Sequence, residues 1–383
     1  MNLELSDEQR MLREAAIDAL GRIDTVESAR EAADGKELLD LWPVACEAGW
    51  SGLLVSEERG GADLGLYDAM LVMTECGKRL TGAGLIGHLA ATAALEQAAE
   101  AGNEAAAGEL EALASGEKRA AIVLAAPPTE TRDWQVALPE GGEGELPSAS
   151  GNGSLSVTGK AGYQLDLAGA DVLLVPAHDG GEVVLALVDP SAAGVEVEAL
   201  TRSDASRPLA NVDLRGAEAV RVGDGEAAAA AWHTAQALLA ADSLGVAEAM
   251  LELSVEYAKD RTAFARPIGS YQAVKHQIVE ILHRAEKTRS LTIYVGVASE
   301  TFPEELPLAA ATARLAGEQA ADYATRTCIA VHGGIGATWE HDAPFYWRRA
   351  QLSRLLLGGQ RGAADRITTE AVARATAAEP VAA

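Results

Sequence analysis

Residues 261–272 read RTAFARPIGSYQ, and the stretches on either side of them decide the fold. Upstream, AAAAAWHTAQALLAADSLGVAEAMLELSVEYAKD keeps apolar residues at helical spacing up to Asp260. Downstream, AVKHQIVEILHRAEKTRSLTIYVGVAS predicts a second long helix. The quoted segment is therefore a turn between two helices, with Arg261 and Gln272 on its two sides. That placement suits the clamping of a phosphate-bearing ligand, because a guanidinium makes strong charge-assisted bonds to phosphate. A third helix through LAAATARLAGEQAADYATRTCIAVH leads into HGGIGATWE, residues 332–340, and on to Arg348-Arg349. The glycines there let backbone amides approach a ligand closely. The GGIG run follows no predicted strand and lacks GxGxxG spacing, so it is not a Rossmann fingerprint. By itself it reads as a tight turn between helices.

Moving outward, the chain changes character twice. Residues 1–118 read as helical. Ser6 precedes DEQRMLREAAIDAL with Asp7 and Glu8 in the first turn, where carboxylates favour a helix N-terminus. Residues 119–225 carry the short β-rich runs AAIVLAA, LSVTGKAG, DVLLVPA, EVVLALVD and GVEVEAL, separated by Gly, Asp, Pro and Ser. They predict an antiparallel sheet or small barrel. Within them PEGGEGELPSASGNGS is low in complexity and reads as a mobile loop between strands. Residues 226–383 return to helix.

Composition closes off other classes. The 383 residues are 48% hydrophobic and 23% charged, enough apolar content for an ordered core. Asp plus Glu number 57 against 31 Lys plus Arg, so a net charge of −26 argues against nucleic-acid or anionic-membrane partners. Cys46, Cys76 and Cys328 are far apart without a CxxC, which disfavours disulfides and zinc and fits a reducing cytoplasm. No signal peptide and no apolar run of ~18–20 residues is visible. Abundant Ala predicts helices that meet through small side chains. Glu248, Glu252 and Glu256 recur every four residues and read as a solvated face. His332 and His341 are too isolated to argue for a metal, and HExxH, GxSxG and P-loop motifs are absent.

Taken together, RTAFARPIGSYQAVKH and VHGGIGATWEHDAPFYWRRA resemble the two C-terminal motifs of the acyl-CoA dehydrogenase family. GWSGLLVSEERGGADLGLYD is similar to its N-terminal loop, and LSVTGKAG followed by GADVLLVPA to the start of its middle domain. The resemblance covers nearly the whole chain in the right order. It implies an α+β, mostly α fold: an N-terminal helical domain, a central β-barrel and a C-terminal four-helix bundle. It also implies FAD at a subunit interface and acyl-CoA thioesters as substrates. The family's contacts to the ADP half of a flavin whose ring sits in the neighbouring subunit fall on Arg261, Phe264, Ile268, Gln272, Gly333 and Gly334. Arg261 would pair with the pyrophosphate. Ala330 stands where the family commonly has a Gln.

The catalytic half departs from the family. Its base, a Glu in a Tyr-Glu-Gly-Thr context, aligns with Gly358 in Leu357-Gly358-Gly359-Gln360 once one inserted residue is allowed. The alternative base position ahead of the Arg/Phe motif falls on Ala235. Asp242 lies on the same helix, but seven residues span ~10.5 Å, a long way for a substitute. Glu340 corresponds to a Glu kept for structure. AAIVLAAPPTETRDWQVALPEGG, residues 120–142, lacks the Gly-Ser-Asp loop that lines the flavin ring and thioester. No catalytic residue is therefore assigned.

The leading expectation is a subunit of an α2β2 heteromer. It resembles actinobacterial dehydrogenases acting on steroid side-chain CoA thioesters. The partner would be a paralogous subunit carrying the catalytic Glu, and an electron-transfer flavoprotein would accept the electrons. The Ala- and Leu-rich faces of 235–251 and 307–331 are expected to pack against that partner. A self-sufficient homotetramer with an unrecognised base, and a non-redox protein binding acyl-CoA or another flavoprotein, stay open.

Overall fold

The computed structural model describes residues 4–129, 132–151, 154–201 and 203–378. Six helices come first: α1 (Asp7–Gly21), α2 (Thr25–Ala33), α3 (Trp42–Glu47), α4 (Leu66–Lys78), α5 (Leu85–Glu100) and α6 (Glu104–Ala114). The first starts where the sequence predicts. Ser6 Oγ accepts from the Gln9 amide at 3.1 Å, and the Gln9 side chain accepts from the Ser6 amide at 3.1 Å. Such a reciprocal box satisfies two otherwise orphaned helix donors.

Ten strands follow: β1 (Ala120–Ile122), β2 (Ala125–Ala126), β3 (Gln135–Ala137), β4 (Glu143–Gly144), β5 (Ser148–Ser150), β6 (Leu155–Leu165), β7 (Val172–Asp179), β8 (Glu182–Val188), β9 (Val195–Ala199) and β10 (Leu209–Asp224). The pairings run β7–β5–β6–β10–β8 and return to β7, so the main sheet closes on itself as a small barrel. Strand β9 pairs with β10, while β1 joins β7 in parallel. Strands β2, β3 and β4 form a separate small sheet. Closure leaves few free strand edges. The low-complexity stretch at 139–154 corrects one expectation: it is not all loop, because five of its residues pair as strand. Glu143–Gly144 pairs with β3 and Ser148–Ser150 with β6, pinned by Leu146 and Ala149, each 6% exposed. Asn152 and Gly153 of that stretch lie outside the described residues.

The remainder is helical apart from a two-stranded hairpin: α7 (Gly225–Asp260), β11 (Thr262–Ala263), β12 (Arg266–Pro267), α8 (Gln272–Thr301), α9 (Leu306–His332), α10 (Ala343–Ser353) and α11 (Gly359–Ala378). Helices α7, α8 and α9 pack together, and α10 and α11 close against α9. Helix α7 is the central post, touching α4 and α5 on one side and α8 and α9 on the other. Glycine permits the α4–α7 approach. A Cβ on Gly245 would lie 2.0 Å from the Thr74 carbonyl oxygen, and one on Gly77 2.1 Å from that of Asp242. This arrangement overturns the expectation that 235–251 and 307–331 await a partner. The apolar residues of 235–250 are buried, Leu251 is half-buried, and most of those in 307–331 are buried too, covered by helices of the same chain.

Candidate functional site

Helix α7 ends at Arg261, whose amide donates to the Tyr257 carbonyl at 2.8 Å. The chain then turns in the short hairpin of β11 and β12, with Thr262 opposite Pro267 and Ala263 opposite Arg266. Phe264 and Ala265 form its tip with φ of 51° and 65°. Two consecutive left-handed residues are what a tight hairpin turn requires, at a steric cost for side chains larger than Gly. Local contacts hold that cost in place. The Arg266 guanidinium lies 4.2 Å over the Tyr271 ring, the Tyr271 hydroxyl donates to the Ala263 carbonyl at 3.0 Å, and the Ile268 amide donates to the Arg261 carbonyl at 2.8 Å. Phe264 is left 93% exposed. Arg261 and Gln272 are exposed too, Ile268 is half-buried, and among the described residues the Arg261 guanidinium has no ion-pair partner.

Helix α9 stops at the predicted glycine. Gly333 has φ 66° and ψ −138°, a backbone that favours glycine, and its amide makes the last helical bond to the Ile329 carbonyl at 3.0 Å. A Cβ on Gly333 or Gly334 would meet nothing within 4 Å, so this backbone lies open. The two motifs are joined through their neighbours. His332 stacks on Tyr257 with ring centroids 4.2 Å apart, and its Nδ1–H donates to the Cys328 carbonyl at 2.8 Å. Tyr257 is four residues from Arg261, and His332 is next to Gly333. The structure therefore brings the Arg/Phe turn and the Gly-Gly turn to the same end of the bundle. Arg30 of α2 secures the loop beyond, donating to the Trp339 and Glu340 carbonyls at 3.3 and 3.4 Å and to Asp342 at 2.8 Å. Glu340 is exposed on this loop; its own backbone and the Thr338 hydroxyl hold its carboxyl below the usual range.

A second feature lies where the sequence aligns the missing base. Leu357 and Gly358 face Ala126, Pro127, Arg132 and Gln135, Trp232 and Gln236 of α7, and α11 across a cleft of about 480 Å³. No carboxylate stands at 358, and Ala235 is fully buried. The cleft is instead crossed by one ion pair and by bonds from an arginine to backbone carbonyls. Arg132 meets Asp365 at 2.5 Å, and Arg366 donates to the Pro127 and Pro128 carbonyls at 3.0 and 3.3 Å. One carboxylate comes close: a Cβ on Gly358 would sit 3.7 Å from Glu143 Oε1. The sequence reading missed Glu143 because the glycines around it disguise the hairpin.

Asp242 is accounted for differently. It is 0% exposed, with Oδ1 accepting from Arg349 Nη1 at 2.8 Å and Oδ2 facing Arg207 Nη2 at 2.7 Å. Arg349 also bonds Asp204 at 3.1 Å, Ser206, and the Thr81 carbonyl at 3.3 Å. A carboxylate fixed between two buried guanidiniums is a structural counter-ion and has no reach to a substrate proton. Arg207 and Arg314 extend the network to the segment before Gly358. Arg207 donates to Ser353 Oγ at 3.1 Å, and Arg314 to the Ser353 carbonyl and, at 3.3 Å, the Leu356 carbonyl. Arg314 pairs with Glu318, whose carboxyl burial pushes up to about 7. The Arg348-Arg349 pair was visible in the sequence; its buried partners were not.

Among the described residues no group of three or more His, Cys, Asp or Glu could hold a metal, and no helix is long and apolar enough to cross a membrane. Residues 6–117 match the family model described as acyl-CoA dehydrogenase, N-terminal domain, and residues 223–375 match the C-terminal domain. The chain is 31% identical over 367 residues to acyl-CoA dehydrogenase IpdE2 of Mycobacterium tuberculosis (strain ATCC 25618 / H37Rv), covering 95% of this chain and 97% of that protein. A chain of the Mycobacterium tuberculosis ChsE4-ChsE5 complex superposes with a TM-score of 0.84 and 26% identity over the full length of both. A chain of the Tcur3481-Tcur3483 steroid ACAD G363A variant shares the fold, with a TM-score of 0.85 and 24% identity over 97% of this chain and 99% of that one.

Proposed function

The chain belongs to the acyl-CoA dehydrogenase family, and from that premise we propose that it is the subunit of a heteromer that clasps the ADP half of FAD while a paralogous partner carries the catalytic Glu. FAD is the cofactor of the family. The residues present fit its ADP half. Arg261 is an unspent guanidinium in a chain of net charge −26, the Gly333-Gly334 backbone is open, and Phe264 offers an exposed ring. Arg261 would take the pyrophosphate, and Phe264, Ile268, Gln272 and the two glycines would line the same face. FAD, when bound, supplies the acceptor for the β-hydrogen that leaves an acyl-CoA as hydride. The α-proton goes to a carboxylate, and the Cα–Cβ bond becomes the double bond of the 2,3-enoyl-CoA.

One observation carries this reading: an open clasp stands at one end of the bundle, while Gly358 leaves the base position without a carboxylate. The α2β2 arrangement and a bulky substrate of the steroid side-chain type are part of this proposal, and the likeness to a chain of a two-component complex supports a heteromer. An electron-transfer flavoprotein as acceptor, a cytoplasmic setting and the division into 1–118, 119–225 and 226–383 belong to the same proposal. A second reading rests on Glu143. If its carboxylate served as the base, the chain would be a self-sufficient homotetramer.

Co-expression with the paralogue, followed by sedimentation and flavin quantitation, separates the two. One FAD per heterodimer is expected; a stable homotetramer holding four flavins overturns the proposal. Arg261→Ala should strip flavin from the assembled pair without unfolding it, and Arg261→Lys should restore only part, because Lys lacks the bidentate fork. Unchanged flavin content in folded Arg261→Ala would remove Arg261 from the site.

A further inference from the structure

Arg119, just before β1, is 8% exposed, and its guanidinium makes no hydrogen bond among the described residues. Its nearest carboxylate is Asp40, with Oδ1 3.5 Å from Nη1, beyond hydrogen-bond length. That same oxygen already accepts from the Trp42 amide at 3.0 Å, and the Asp40 side chain is 64% exposed. The guanidinium rests 5.2 Å over the Trp42 ring, which offsets part of the charge's burial but satisfies none of its donors. The buried Nε–H is withheld from water without an acceptor, which is costly, and the two Nη groups find no hydrogen-bond acceptor among the described residues.

A cavity of about 260 Å³ opens beside this group, bounded by the loops before α3, between α4 and α5, after β6 and before β10. Its walls are largely apolar, with Leu41, Ile86, Ala168 and Pro208 among them. Gly84 makes room for the guanidinium: at φ 70° it carries no side chain, and a Cβ there would lie 1.8 Å from Arg119 Nη2. The cavity's other arginine, Arg207, is engaged by Asp242 at 2.7 Å. Asp166 on the wall is likewise engaged, accepting from the Gly87 amide at 2.9 Å. Arg119 is thus the cation in this cavity with capacity left.

We propose that this cavity binds a small monocarboxylate with a compact apolar body, its carboxylate seated on the Arg119 fork in place of Asp40. The planar guanidinium matches a carboxylate bidentately. A phosphate dianion fits poorly, because one guanidinium would face it across a rim that carries Glu37, Asp40 and Asp166. The volume falls just below the ~300 Å³ at which drug-sized ligand sites begin, so the body must be small. Asp40 then acts as a placeholder, an exposed carboxylate loosely covering the charge until the ligand arrives. This inference is independent of the flavin reading and survives its failure, since neither Arg261 nor Gly358 enters it.

The test uses the full chain, with its partner where that is needed for solubility, and isothermal titration with cyclohexanecarboxylate. Saturable binding at one site per chain is expected, at least tenfold tighter than binding of cyclohexanecarboxamide, which has the same body without the charge. Arg119→Gln should weaken binding at least tenfold. Because that variant could disturb packing on Trp42, Asp40→Asn supplies a second arm: it keeps an acceptor for the Trp42 amide, removes the competing charge, and should tighten binding severalfold. Absence of saturable binding to the wild type, equal binding of the carboxamide, or no gain in Asp40→Asn would each overturn the proposal.

Discussion

Asp242→Asn is the substitution that most sharply separates a structural acid from a catalytic one. Asp242 sits 0% exposed between Arg349 at 2.8 Å and Arg207 at 2.7 Å, two guanidiniums that are themselves 0% and 3% exposed. Asparagine is nearly isosteric, so packing is kept. It retains one acceptor oxygen, but its NH2 group must face a guanidinium that a carboxylate oxygen faced before. Two buried cations then share Asp204 as their remaining nearby carboxylate. Breaking a buried pair by removing one partner costs about 3–5 kcal/mol, because the charge left behind stays desolvated. With a slope near ~3 kcal/mol/M, the urea midpoint should fall by roughly 1–2 M. Urea titration followed by the fluorescence of the six tryptophans measures this, with turnover of the assembled pair recorded alongside in dilute buffer. The reasoning predicts large destabilisation with per-assembly turnover retained below the transition. A variant as stable as wild type but inactive would refute it and return Asp242 to the chemistry.

The other predictions are shorter. Burial holds the His88 imidazole down at about 4, with Nδ1 accepting from the Ala120 amide at 3.1 Å and Nε2 donating to the Ser51 carbonyl at 3.0 Å. Its unfolded value is 6.5, so its stabilisation is present above pH 6.5 and is lost as pH falls from there through 4. That amounts to about 3 kcal/mol over the window. Buried His233, held down to about 3, acts in the same direction, while the Glu318 carboxyl, held up at about 7, acts against them in this window. The two imidazoles outweigh the one carboxyl, and urea midpoints that stay flat or rise from pH 6.5 to 4.5 would contradict the reasoning. Glu143→Gln should leave the steady-state turnover of the heteromer within twofold, whereas a fall of 10² or more is what loss of a general base would give. Gly358→Glu should not create an active isolated chain and should lower stability by about 1–2 kcal/mol, because φ there is 74°; acyl-CoA turnover by the purified variant alone would refute this.

The sequence made the helical parts and the two turns of the proposed clasp legible because each is governed by local rules. Ser6 and Gln9 cap one helix, Gly333 ends another, and RTAFARPIGSYQ breaks the 3.6-residue period over a few residues. The closed barrel was legible from short β-rich runs between turn residues. What stayed hidden depends on contacts between distant segments. Nothing near Asp242 in the sequence announces that Arg349, 107 residues away, will meet it, and so a buried counter-ion could be entertained as a base. The same blindness affected α7. A run such as 235–251, apolar on every face, reads equally as a surface awaiting a partner or as a central post, and only the positions of α4, α5, α8 and α9 decide for the post.

The backbone around Gly358 suits the glycine that stands there. Leu357, Gly358 and Gly359 have φ of 52°, 74° and 60°, three successive left-handed residues. That geometry favours glycine, and a glutamate at 358 would pay the left-handed penalty and meet the Glu143 carboxylate as well. The segment is also held from behind, with Arg314 on the Ser353 and Leu356 carbonyls and Arg207 on Ser353 Oγ. Across the cleft, Arg132–Asp365 and the Arg366 bonds to Pro127 and Pro128 tie α11 to the small sheet. One ion pair and two side-chain bonds to backbone carbonyls thus span the cleft and join two parts of the fold. The clasp end shows the opposite economy: Phe264, Arg261 and the Gly-Gly backbone stay exposed and uncommitted. On the proposed reading, a chain with glycine at the base position and an open turn at the other end would complete a site on a neighbouring chain, and turnover measured on the isolated chain against the co-expressed pair decides it.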